Sequence, residues 1–221
     1  MPQAVIFDID GVLVDSYQAH FQSWQQLLTG LDVEFTEADF RATFGHTSRD
    51  IIAQLYAGQL SDERIRALDD RKEALFRDIL RETLVVIPGA LELVDALAEA
   101  RFLLAVGSSA PSENVSLTLE LLGLGERFQA RVTGGDVARG KPDPQVFLLA
   151  AEQLLVPPQQ CAVVEDAVAG IEAANRAGMA SIGLTGTATR EHLSHAALVV
   201  DRLSELTPQA IARLLAEHGG K

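Results

Sequence analysis

Two carboxylates, Asp8 and Asp10, stand two residues apart directly after an apolar run, Ala4-Val5-Ile6-Phe7, and directly before Gly11. The run has the length and β-branched character of a buried strand. Two like charges this close repel and raise each other's pKa, so a positive group belongs between them. Gly11 adds a point where backbone can turn tightly or approach a ligand. The plain alternative is a polar loop that closes a core strand. An EF-hand loop fits poorly, because that motif needs a third oxygen ligand before its glycine and a helix ahead of it. Here the glycine comes early and a strand precedes it.

Further polar residues repeat the pattern of standing where an apolar run stops. Ser108 follows Phe102-Leu103-Leu104-Ala105-Val106-Gly107, and Glu165-Asp166 follows Ala162-Val163-Val164. Lys141 lies in the stretch after the short run at Ala130-Arg131-Val132-Thr133. Between these runs lie helical patterns, and two more strand-like runs occur at Ser181–Leu184 and Leu198–Val200. Buried strands alternating with helices imply a parallel sheet covered on both faces, an α/β, doubly wound architecture. In such a sheet the loops at the carboxyl ends of the strands share one edge, where ligands bind. Asp8, Asp10, Glu165 and Asp166 would then meet Ser108 and Lys141 in one crevice. Clustered carboxylates with no Cys or His suit a hard cation such as Mg²⁺. A lysine beside that cation suits a phosphoryl group.

Residues 16–81 interrupt the alternation. Ser16, Thr36, Ser48 and Ser61 each read as a helix start, followed by apolar residues at helical spacing, with Gly30, Gly45 and Gly58 as stops. This block cannot extend a parallel sheet and reads as a helical cap inserted into a core made of residues 1–15 and 82–221. It is expected over the strand ends, closing on substrate.

Composition bounds the rest. The 221 residues are 48% hydrophobic and 22% charged, with net charge −13, the pattern of a globular chain without the basic surface that nucleic acid or an anionic membrane requires. No basic n-region with an apolar segment opens the chain, and no apolar run reaches spanning length. A cytoplasmic location follows as the expectation, with Cys161 a buried strand thiol and no internal disulfide. A monomer is plausible.

The four segments together, DIDGVLVDS at Asp8–Ser16, Ser108 of AVGSS, Lys141 of GKPDP and Glu165-Asp166 of VVEDAVAGIEAANRAG, resemble the haloacid dehalogenase superfamily. The likeness covers the whole chain and points to the branch of β-phosphoglucomutases and sugar-phosphate phosphatases. It implies a Rossmann-like core with Asp8 as a nucleophile forming a phosphoaspartate and Asp10 as general acid and base. It also implies Mg²⁺ held by Asp8, Asp166 and the Asp10 carbonyl, with Glu165 assisting directly or through water. Ser108, with Ser109 beside it, and Lys141 would bind phosphoryl oxygens. An acid two residues after the nucleophile favours phosphoryl transfer over dehalogenation. In the cap, His20, Arg49 and Lys72 stand at positions comparable to those that handle the distal phosphate in the mutases. The implied activity is a Mg²⁺-dependent phosphatase of a small phosphorylated metabolite such as a sugar phosphate, with β-phosphoglucomutase as the alternative.

Several patterns are set aside. Gly135 to Lys141 matches the spacing of a P-loop, but Pro142 stands where a Ser or Thr would bind Mg²⁺. His192 and His195 lack a third ligand nearby. Trp24 and Phe21 read as cap core. The run Asp69-Asp70-Arg71-Lys72-Glu73 has the composition of a solvated helix face.

Overall fold

The computed structural model describes residues 2–31, 33–43 and 47–219. The chain divides into two compact units, Met1–Asp15 with Val86–Lys221, and Ser16–Val85.

In the first unit, six strands among the described residues form one sheet: β1 (Ala4–Phe7), β2 (Leu103–Gly107), β3 (Ala130–Val132), β4 (Cys161–Glu165), β5 (Ala180–Leu184) and β6 (Leu198–Val200). Their order is β3-β2-β1-β4-β5-β6, and every pairing is parallel. Ala4 of β1 faces Leu103 on one side and Cys161 on the other. The chain therefore builds outward from β1 through β2 to β3, then returns to lay β4 against β1's free side. That reversal is the switch point at which open α/β sheets bind ligands.

Parallel strands need crossovers, and here helices supply all but the one between β5 and β6. They are numbered in chain order, so the four of the second unit come first: α1 (Tyr17–Leu28), α2 (Glu37–Thr43), α3 (Ser48–Leu55) and α4 (Asp62–Thr83). The first unit follows with α5 (Ala90–Glu99), α6 (Ser112–Leu121), α7 (Gln145–Leu154), α8 (Val168–Arg176) and α9 (Pro208–His218). Ala4 and Ile6 pack with Phe147 and Ala150 of α7 and Ala173 and Ala174 of α8. The alternate residues Val5, Phe7, Leu104, Val106, Ala162 and Val164 are equally buried, so the second face is covered too. Each fully buried side chain of this size contributes roughly 1.5–3 kcal/mol, which is why β1 can be entirely apolar until it ends. Val14 bridges Val86, so the chain leaves and re-enters this unit at adjacent points.

The second unit is helical, with Trp24, Leu27, Phe40, Ile52 and Leu68 in its core. Ser61 caps α4 by accepting from the Arg64 amide, and Thr36 exchanges hydrogen bonds with Asp39 at the start of α2. Ser16 stands before α1 without a side-chain capping bond. Ser48 is not the cap expected for α3. Thr47 accepts from the Asp50 amide instead, and Ser48 is the first helical residue. The expected helix end at Gly45, with Phe44 and His46 beside it, lies outside the described residues. Helix α4 runs on to Thr83, and the unit reaches Val85. No described helix is long and apolar enough to cross a membrane.

Candidate active site

Asp8 is the residue at which β1 stops, and its amide still donates to Val164 O at 3.0 Å, so the sheet's ladder fixes its backbone. Its side chain is met by Lys141, whose Nζ lies 2.7 Å from Asp8 Oδ1 and 2.8 Å from Glu165 Oε1. The loop after β3 thus delivers an ammonium between two strand-end acids. It is a desolvated contact: the Lys141 and Asp8 side chains are 8% and 10% exposed. Burial alone would lower the Lys141 pKa. The charges of Asp8 and Glu165 reverse that and hold the ammonium above the usual lysine range.

One ammonium does not neutralise this many acids. Burial pushes the Asp8 carboxyl up to about 7, with Glu165 and Asp10 adding to the rise and Lys141 opposing it. Asp166 is raised as well, by burial and by the charges of Glu165 and Asp8, with the Thr187 hydroxyl and Lys141 pulling the other way. Its Oδ2 atom is buried without a hydrogen-bond partner. A buried carboxylate oxygen left bare costs free energy, and a hard cation is the partner that suits it. Gly11 makes room here. Its φ is +77°, and a Cβ on it would lie 1.8 Å from Asp166 Oδ2.

Glu165 was expected among the metal ligands, and its carboxylate is otherwise engaged. Oε1 takes Lys141, and Oε2 accepts from the amides of Asp166 and Ala167, at 2.8 Å each. Glu165 therefore closes the start of α8 and holds Lys141. Gly170 on α8 allows this, since a Cβ there would lie 1.8 Å from Glu165 Oε1. Among the described residues, no three Asp, Glu, His or Cys side chains are arranged to hold a metal by themselves. A cation here would rest on Asp8 and Asp166 with backbone and ligand oxygens completing its shell, as Mg²⁺ commonly does.

Ser108 follows β2, is buried, and accepts from the Ala110 amide at 3.1 Å. Ser109 is exposed beside it. Asp10 is half-buried and pairs by its backbone with Val14.

A haloacid dehalogenase-like hydrolase profile matches residues 2–178. This chain belongs to the haloacid dehalogenase-like hydrolase family. It is 33% identical over 215 residues to a validoxylamine A 7'-phosphate phosphatase of Streptomyces hygroscopicus subsp. limoneus, covering 93% of this chain and 96% of that protein. It is 32% identical to a β-phosphoglucomutase of Bacillus subtilis, covering 93% and 92% of the two. Its fold matches a crystal structure of β-phosphoglucomutase from Clostridium difficile with TM-score 0.89 and 27% identity, over 100% of both chains.

Within this family member's helical unit, the residues expected to meet substrate form internal contacts. Lys72 is 1% exposed. Its Nζ is 2.9 Å from Glu73 Oε1 and donates to His20 Nδ1 at 2.8 Å. Ser48 Oγ donates to the same Glu73 oxygen at 2.6 Å. The His20 ring stacks on Phe76 with centroids 3.9 Å apart. Burial would raise the Glu73 pKa, but Lys72, His20 and the Ser48 hydrogen bond bring it below the usual range. Arg49 is 58% exposed and pairs with Asp69 at 2.9 Å. Lys72 is buried, unlike the solvated face that the composition of its run suggested: spacing puts Leu68, Lys72, Phe76 and Leu80 on one buried stripe of α4.

Sequence reading missed Phe147, Thr187 and Glu73 as members of these clusters; Ser48 stood out beside Arg49 as a cap residue, and its partner Glu73 did not. Only Glu73 carried a signal, as a neighbour of a lysine on an apolar stripe. Trp24 is core, His192 and His195 are exposed, and Cys161 is buried with its thiol pushed up to about 12 by desolvation.

Proposed function

We propose that this protein is a phosphatase of a small phosphorylated metabolite, a sugar phosphate being the class that best fits its relatives, and that it works through a phosphoaspartate at Asp8. The observation that carries the reading is the Asp8–Lys141–Glu165 contact beside the bare Asp166 oxygen. It supplies a fixed nucleophile, a fixed cation and an unfilled acceptor at the sheet's switch point.

In the first step an Asp8 carboxylate oxygen attacks phosphorus, the ester P–O bond breaks, and Asp10 protonates the departing alkoxide. In the second, Asp10 takes a proton from water as that water attacks phosphorus. The bond from phosphorus to Asp8 breaks and inorganic phosphate leaves. Dividing the displacement in two lowers each barrier. Lys141 and Ser108 hold phosphoryl oxygens, and Lys141 keeps Asp8 aligned between turnovers. Mg²⁺, held by Asp8, Asp166 and the Asp10 carbonyl, would supply charge neutralisation for the phosphoryl group.

The test is phosphate release across a panel of sugar phosphates with and without Mg²⁺. Hydrolysis that requires Mg²⁺ is expected, and Asp8→Asn should abolish it while leaving circular dichroism unchanged. Near-wild-type activity in that variant would sink the mechanism.

A second reading, β-phosphoglucomutase, is favoured by the full-length match to the Clostridium difficile structure. Adding β-glucose 1-phosphate with a trace of the 1,6-bisphosphate separates the two. Formation of glucose 6-phosphate faster than free phosphate would select the mutase.

A further inference from the structure

The chain has only three lysines, Lys72, Lys141 and Lys221. The two that are described share an arrangement that carboxylate pairing does not explain. Lys72 Nζ lies 5.6 Å from the Trp24 ring centroid and 5.3 Å from that of Phe76. Lys141 Nζ lies 4.9 Å over the ring of Phe147. An ammonium has three protons. At Lys141 two of them serve Asp8 and Glu165, and the third has the Phe147 face for a neighbour. That face is the negative side of the ring's quadrupole, and cation–π attraction strengthens where water is excluded. Phe147 is 0% exposed.

The placement of this ring is built from both sides. Phe147 lies in the first turn of α7, close after the loop that carries Lys141. Gly107, the last residue of β2 and the one before Ser108, lies against the ring. A Cβ on Gly107 would lie 2.9 Å from Phe147 Cδ1. A side chain at 107 would therefore crowd the Phe147 ring and Ile6.

We propose that Phe147 is a positioning residue for the reaction: its ring face forms the third wall of the Lys141 seat and keeps the ammonium directed at Asp8 and Glu165. Leucine or methionine would supply an apolar wall without attracting the charge. The claim rests on the reading of Lys141 as the phosphoryl clamp only for its catalytic consequence; the seat itself exists in the protein alone.

The test replaces Phe147 alone with 4-fluoro-, 3,4-difluoro- and 3,4,5-trifluorophenylalanine in the full chain. These keep the ring's shape while draining its negative face. The readout is the exchange of the Lys141 Nζ protons with water, followed by ¹⁵N NMR, in which three lysines give a simple spectrum. Exchange should accelerate step by step along the series, by roughly 3- to 30-fold in total, the range a desolvated cation–π contact corresponds to. Phe147→Leu should match or exceed the trifluoro variant. In parallel, kcat for p-nitrophenyl phosphate should fall in the same order with KM little changed. An exchange rate that stays flat along the fluorine series overturns the proposal, even if Phe147→Leu is fast, because the ring would then act by packing alone. Graded exchange in a chain whose wild type hydrolyses no phosphate ester would instead overturn the phosphatase reading and leave the seat standing.

Discussion

Each unit of this molecule buries one lysine, and the two burials differ in a way that separates chemistry from architecture. In the helical unit, Lys72 has Glu73 as its acid, His20 as a second acceptor and two aromatic rings around it. Glu73 is held below its ordinary pKa there despite burial, by Lys72, His20 and the Ser48 hydrogen bond. In the sheet unit, Lys141 has two direct acids, Asp8 and Glu165, with Asp166 also acting on it. Charge is not balanced there: Asp8 and Asp166 are both raised, and an Asp166 oxygen has no partner. In the first cluster the buried acid is favoured as an anion. In the second the buried acids are disfavoured as anions, a condition that an added cation would relieve. On the function proposed above, the same ingredients make a structural joint in one unit and a reaction centre in the other.

The largest separation between them should come from removing each ammonium in turn. Lys141→Met is expected to lower kcat for a phosphate ester by roughly 10²- to 10³-fold, the effect of losing one preorganised charge donor. A rise in KM with kcat intact would mean that Lys141 binds substrate and transition state equally, and the contrast with Lys72 would lose its meaning.

Lys72→Met should act on stability. It leaves Glu73 buried without its cation, and breaking one side of such a pair costs about 3–5 kcal/mol. Denaturant unfolding should show that loss, whereas kcat per folded molecule on p-nitrophenyl phosphate should drop far less than in Lys141→Met. Adding Glu73→Gln should recover most of the stability, because the orphaned charge is gone. A double variant as unstable as the single one would show that packing against Trp24 and Phe76, and not charge balance, defines this cluster.

The difference between the two clusters was only half legible in the chain. Asp8, Ser108, Lys141 and Glu165-Asp166 could be found because each follows an apolar run, and parallel topology sends all such loops to one edge. What strand-end position cannot reveal is where a side chain turns. Glu165 has the composition of a metal ligand, yet its oxygens go to Lys141 and to two amides, a choice set by the start of α8 and the space above Gly170. Lys72 was hidden by its neighbours, since Asp69, Asp70 and Arg71 give the segment a solvated look. The four-residue spacing from Leu68 to Phe76 held the contrary signal. Ser48 and Thr47 could each have capped α3. The partner that takes Ser48 away, Glu73, lies 25 residues along and cannot be seen locally.

Cation addition gives a smaller but sharper comparison. Burial pushes the Asp8 carboxyl of the folded protein up to about 7, while an unfolded aspartate ionises near its ordinary value of about 4. Without metal, folding is therefore penalised progressively as pH rises from about 4 to about 7, and fully above that. Mg²⁺ competes for the same oxygens, so its stabilisation should be larger at pH 8 than at pH 5.5. At 100-fold excess over its Kd, binding adds about 2.7 kcal/mol. Melting curves at both pH values check this, with Asp166→Asn expected to remove most of the Mg²⁺ effect. Equal Mg²⁺ shifts at both pH values, or a shift that survives Asp166→Asn, would place the cation elsewhere.

Arg49 is where the smallest effect is expected, and it tests whether the helical unit holds any cation available to a ligand. Its partner Asp69 is only 15% exposed, and burial raises that carboxyl despite the hydrogen bond from Arg49. The guanidinium itself is mostly in solvent, where such pairs contribute about 0–1 kcal/mol. Arg49→Ala should therefore change unfolding free energy by less than about 1 kcal/mol, well below the loss in Lys72→Met. So weak a pair can open, and a planar guanidinium released from it is suited to gripping a second anionic group. If Arg49 serves substrate, Arg49→Ala should reduce turnover of a sugar bisphosphate more than that of p-nitrophenyl phosphate. Asp69→Asn, which frees the guanidinium, should shift the ratio the opposite way. Opposite shifts would make Arg49 a ligand-directed cation of the helical unit, in contrast to the buried Lys72. Equal changes on both substrates in both variants would reduce Arg49 to a surface ion pair, leaving every functional charge so far identified in the sheet unit.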